Sequence, residues 1–219
     1  MDHSSLKPRH RAERAGWHPN LNLRVHRALS WLDRAERAAG DPDARFIFLW
    51  VAFNAAYATD IDERYRLSEQ DTFQAFLQKL VDLDSGRRIE TLVWKEFTGS
   101  IRLLLDNRFV FQDFWSFHNG KLSKEEWQQR FAAAKRAAKA ALGRRDTVKV
   151  LGIALSRLYT LRNQLIHGGA TWNSQVNRAQ LRDGVNLLGK LVPIVIETMM
   201  DHPDTVWGDP CYPVVDPAS

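Results

Sequence analysis

The segment Phe46-Ile47-Phe48-Leu49-Trp50-Val51-Ala52-Phe53-Asn54-Ala55-Ala56-Tyr57 constrains this chain more than any other stretch. Wound as a helix it is apolar on every side, so no face of it suits water. The apolar run reaches only to Ala58, well short of the roughly 20 residues that span a bilayer. Such a helix has to lie centrally, covered by other elements that each present an apolar stripe. Asp41-Pro42 opens it with an N-cap and a first-turn proline. Asn54 is the exception inside it. A buried amide needs partners. It can be a core asparagine that fixes helix packing, or a support for polar chemistry elsewhere.

The rest of the chain offers helices to do the covering. Leu21, Val25, Leu29 and Leu32 step by three and four, and Gly40 closes that stretch. Ser68 with Asp71 reads as the start of a helix carrying Phe73, Phe76, Leu77 and Leu80. Arg87 to Asp106 is predicted as one helix burying Ile89, Leu92, Val93, Phe97, Ile101 and Leu104 or Leu105. Asn107 to Asn119 is aromatic-rich and reads as an irregular connection, its rings anchoring it to the core or stacking on bases. Ser123 and Glu126 form a capping box for a helix over Lys124 to Leu142. Asp146 caps the next, and a last one runs from Gln175 to Met200, where Pro193 should bend it. No stretch alternates like a strand. The expected fold is all-α, with about seven helices in one bundle over residues 20–200. A flexible basic arm is expected over 1–19 and a Pro-rich extension laid over the surface at 201–219.

Composition narrows the function. Cys211 is the only cysteine, so neither a disulfide framework nor a thiolate metal cluster is available. His3, His10, His18, His26, His118 and His202 show no HxxxH or HExxH spacing. No GxGxxG or GxxxxGK[ST] loop occurs, so no metal and no cofactor are expected. The polar start of the chain lacks a secretory signal's apolar core, and with no spanning segment a cytoplasmic protein is expected. The net charge of +5 favours an anionic partner. Nine Lys and Arg face three acids between Lys121 and Val150, whereas residues 197–219 carry five acids and no Lys or Arg. Lys135, Arg136, Lys139, Arg144 and Arg145 thereby become candidates for holding an RNA backbone.

The chemistry concentrates at Leu158-Tyr159-Thr160-Leu161-Arg162-Asn163-Gln164-Leu165-Ile166-His167-Gly168-Gly169, the end of the helix that Asp146 starts. Val148, Leu151, Leu155 and Leu158 form a seam whose next step is Arg162, an arginine where a leucine would be expected. Ser156, Thr160, Asn163 and His167 should share a polar face. Arg162 lies about 140° round the helix from His167. The two converge more easily across a symmetric pair of such helices than within one.

An Arg, a polar residue, three spacers and a His at a helix end resembles the motif of HEPN domains, and Phe46–Tyr57 is similar to a helix of stand-alone bacterial members. The resemblance implies a helical domain, many relatives of which are metal-independent RNases that dimerise to build the site. It implies catalysis by Arg162, Asn163 and His167, supported by Asn54 and Thr160. The 2′-hydroxyl of RNA would attack the neighbouring phosphorus and leave a 2′,3′-cyclic phosphate. An imidazole ordinarily titrates near neutral pH and suits proton transfer. A guanidinium suits the charge on the phosphorane. By the same resemblance the chain would be a homodimer with a toxin–antitoxin or phage-defence role. Its partner could be an antitoxin or nucleotidyltransferase, and it would not act at a membrane. One regulated subgroup carries a tyrosine two positions after the His, where this chain has Gly169. The rival expectation is a non-catalytic dimeric module that binds nucleic acid or a protein.

Overall fold

The computed structural model describes residues 1–58, 69–175, 177–210 and 212. Their regular structure is helical, with ten α-helices and no β-strand among the described residues. The expectation of all-α holds, and the count of about seven does not. The chain gathers into two compact units, one of residues 1–83 with 188–219 and the other of residues 84–187.

In the first unit α2 (Pro19–Arg37) packs along α3 (Pro42–Tyr57). The Asp41 side chain accepts from the Ala44 N–H and so caps α3, with Pro42 in the first turn. No residue from Phe46 to Tyr57 is exposed, as an all-round apolar helix requires. Phe46, Leu49, Phe53 and Ala56 are fully buried, against Val25, Ala28, Leu29 and Leu32 of α2 in the same core. Asn54 is half-buried in this unit, and its Oδ1 has no hydrogen-bond partner among the described residues. It is therefore not a satisfied core amide. The next helix, α4 (Glu69–Leu83), adds Phe76, Leu77 and Leu80 to this core. The cap expected for it lies outside the described residues at Ser68, as does the Asp71 side chain.

The N-terminal arm needs correcting. Residues His3–Glu13 form a helix, α1, with a capping box between Asp2 and Ser5. Leu6 and His10 are buried. His10 Nε2 lies 2.8 Å from Asn22 Oδ1 on α2, and burial pushes the imidazole below its ordinary range. Two apolar or weakly polar positions four apart are enough to seat a short helix when a neighbour is waiting. They are too few to show as periodicity.

Residues of the C-terminal segment pack within this unit. Trp207 is buried and donates to the His202 carbonyl, while Lys79 Nζ donates to the Val206 carbonyl at 2.6 Å. Arg24 of α2 is fully buried. Its guanidinium donates to the Ala56 carbonyl at 2.9 Å, to Asp209 at 2.8 Å and to Gly208 at 3.3 Å. One cation thus fastens α2 to the end of α3 and to the tail.

In the second unit the helix expected over Arg87 to Asp106 is broken. It consists of α5 (Arg88–Thr91), a π-helical turn Leu92–Glu96, and α6 (Thr98–Asp106). Thr98-Gly99-Ser100 are poor helix formers, and the Thr98 hydroxyl donates to the Val93 carbonyl at 3.2 Å, which competes with a continuous backbone ladder. Nor is the aromatic stretch irregular. It holds a 3₁₀ turn Arg108–Val110 and α7 (Gln112–His118). Its rings pack on α8 (Lys124–Arg144): Phe114 lies 5.2 Å from Trp127 and Phe111 5.1 Å from Phe131. α1, the break at α6 and α7 account for the three additional helices. α8 carries the expected Ser123–Glu126 capping box. α9 (Thr147–Ile166) is capped by Asp146, which accepts from the Lys149 N–H. α10 (Arg178–Asp201) begins in this unit, runs through Pro193 without interruption, and ends in the other.

Candidate functional site

The motif occupies the last turns of α9. His167 is the C-cap; Gly168 takes φ +69, the left-handed region that favours glycine. The Gly168 N–H donates to Leu165 and the Gly169 N–H to Gln164 at 2.7 Å, closing the helix with the paired bonds of a Schellman end. A Cβ on Gly169 would meet the Gln164 carbonyl at 3.1 Å, so the second glycine is needed for close approach. Gln164, which sequence reasoning passed over, ties this end in place. Its Nε2 donates to the Phe109 carbonyl at 2.7 Å, and its Oε1 accepts from Asn177 at 3.0 Å.

Arg162 and Asn163 are joined directly, Nη1 donating to Oδ1 at 2.9 Å. Both are half-buried, and Arg162 Nε is shut from water without a partner among the described residues. The guanidinium stands 5.9 Å from the centroid of the Tyr159 ring. The His167 side chain is exposed, and its imidazole has no hydrogen bond to any described residue. Around it the helix shows water Ser156, Tyr159 and Ile166. The candidate set is thus one linked pair and one open imidazole on the same helix end.

Two details differ from expectation. Thr160 is 4% exposed and its hydroxyl donates weakly, at 3.4 Å, to the Ser156 carbonyl of its own helix. It is packed rather than part of an open polar face. The arginine embedded in the apolar side of α9 is Arg157, at 4% exposure, and not the half-buried Arg162. Its guanidinium lies 4.4 Å from the Phe111 ring and 5.9 Å from that of Phe131. Burial pushes it down to about 10, opposed by the charge of Asp113. The signal that could have revealed it was the aromatic stretch just upstream, which supplies ring faces where an anion would otherwise be needed.

The basic residues divide. Lys135, Arg136 and Lys139 line one groove beside α8. Lys135 is paired with Asp106. Arg144 ends the helix in solvent. Arg145 takes φ 53 and sets its guanidinium 5.1 Å from the Trp94 ring. Among the described residues no group of three His, Cys, Asp or Glu could hold a metal ion, and no helix is long and apolar enough to cross a membrane. The class that these elements define is an all-helical protein with a basic helix and an Arg-Asn-His set at the end of another. Comparison with family models, curated proteins and solved structures finds no match.

Proposed function

We propose that this chain is a metal-independent endoribonuclease of HEPN type, acting as a homodimer. The observation that carries the reading is the end of α9, where Arg162 is held by Asn163 at 2.9 Å beside an exposed, unencumbered His167. A half-buried guanidinium beside an exposed imidazole forms a pair that can meet a phosphate oxygen. In the reaction the 2′-oxygen forms a bond to phosphorus and the bond from phosphorus to the 5′-oxygen breaks. The 2′-hydroxyl proton goes to one imidazole, and the leaving 5′-oxygen takes a proton from the other copy's His167 or from water. Arg162 steadies the charge on the equatorial oxygens. Tyr159 and Ile166, exposed on the same stretch of α9, supply apolar surface for a second copy. A role as a toxin or phage-defence component, in the cytoplasm and with an antitoxin or nucleotidyltransferase partner, belongs to the same reading.

The test is incubation of the purified protein with mixed RNA in EDTA, followed by analysis of the ends. Cutting of RNA but not DNA is expected, with His167→Ala and Arg162→Ala each slower by about 10²–10³-fold and Asn163→Ala affected less. Light scattering should give a dimer mass. One observation favours the second reading, a non-catalytic dimeric binding module: no hydrogen bond joins Arg162 to His167 within a protomer. RNA left intact by the parent protein, with the dimer present, would put that module in place of the enzyme.

A further inference from the structure

The groove beside α8 has a cavity of about 570 Å³, within the size range of small-ligand sites. Arg102, Leu105 and Asp106 of α6 line one side, and Trp127, Phe131, Lys135, Arg136 and Lys139 of α8 the other. The charge is lopsided. Lys135 takes up the single acid, Asp106, whereas Arg102, Arg136 and Lys139 have no ion-pair partner among the described residues. Three unpaired cations around a partly apolar concavity favour an anionic occupant with an apolar portion.

Aromatic side chains line the same concavity, Trp127 at 8% exposure and Phe131 half-buried. Phe131 supplies the apolar wall. Its ring lies 5.1 Å from that of Phe111, and the Arg157 guanidinium and Lys135 ammonium stand 5.9 Å and 5.6 Å from its centroid. A half-buried ring among cations offers a surface on which a base can stack. The cations also continue beyond the groove to Arg144 at the end of α8, which suits a chain of phosphates better than one free phosphate.

We propose that the groove between α6 and α8 seats one nucleotide of a single-stranded RNA, with its base against Phe131 and its phosphate against Arg102, Arg136 and Lys139. This deepens the endoribonuclease reading by naming where the strand is held apart from the reacting bond, and it rests on RNA being the substrate. Recognition of this kind needs an unstacked base, so duplex RNA should fit poorly.

The experiment is fluorescence anisotropy with a labelled single-stranded oligoribonucleotide, using the full chain in a His167→Ala background so that the probe stays whole. Arg102→Gln and Phe131→Leu are each expected to weaken binding at least about fivefold, the lower end of what one stacking platform or charged contact contributes. Arg102 is exposed, so its variant should fold as the parent does; circular dichroism checks both. Duplex RNA and UTP serve as competitors and are expected to displace the strand only at much higher concentration. Unchanged affinity in both variants would overturn the groove assignment. So would duplex competing as well as single strand, which removes the base seat, or UTP competing equally, which makes the groove a free-nucleotide site. RNA cutting by the chain with His167 intact is measured in parallel. Cutting with no groove effect sinks the groove alone; a groove effect with no cutting sinks the nuclease reading alone.

Discussion

Arg157→Met tests the packing logic of the second unit most directly. The Arg157 guanidinium is buried against Phe111 and Phe131, and its Nε has no hydrogen-bond partner among the described residues. Burial lowers it from the ordinary guanidinium range to about 10, against the opposing charge of Asp113. Each tenfold change in a protonation equilibrium is about 1.4 kcal/mol, so holding the charge there costs on the order of 3 kcal/mol. Two ring faces return about 1–2 kcal/mol of that. Methionine keeps the length and the contact with the rings, and carries no charge to desolvate. The variant should therefore be more stable than the parent by about 1–2 kcal/mol at pH 7 in urea unfolding. The sign with pH follows. The folded-state value lies below the unfolded one, so the cost is complete below pH about 10 and fades as pH rises above it. The stability gap between variant and parent should hold steady up to pH about 10 and narrow above it. A variant less stable than the parent at pH 7, or a gap that ignores pH, would refute the account and mean that the Asp113 charge compensates Arg157 in full.

Arg24→Ala should destabilise by about 3–5 kcal/mol in the same assay, because three backbone carbonyls lose a buried charged donor; a loss below about 1 kcal/mol would show that water replaces it. His10 is held below its ordinary value by burial, with Lys7 and Arg14 pushing the same way and Asn22 opposing. The unfolded chain therefore binds that proton first, and stability should fall as pH drops below about 6.5; His10→Asn should flatten this limb of the urea profile, and an unchanged limb would assign it to other groups. Gly168→Ala should cost about 1–2 kcal/mol through its left-handed backbone, with Gly168→Asn costing less; equal melting temperatures for all three proteins would mean that the helix end re-forms another way.

Caps and stops were legible in the sequence because they are local. Asp41, Ser123 and Asp146 bind N–H groups within three residues, and Gly168-Gly169 end α9 through bonds to its own last turn. The central α3 was legible too, since an all-round apolar helix has only one place to go. The Arg-Asn-His spacing puts these residues at one helix end whatever surrounds them. Burial of a particular side chain is decided elsewhere. α9 buries a wide arc, and its periodicity allows an arginine at either margin. Phe111, at the N-cap of α7, and Phe131 of α8 cover the margin that holds Arg157, and toward the helix end Arg162 stays half-buried. α1 exists because Leu6 and His10 find α2, a partner that no local pattern announces. The groove of Arg102 with Arg136 and Lys139 joins residues more than thirty positions apart. Such juxtapositions are made by packing, whose energy belongs to both surfaces at once and so is written in neither segment alone.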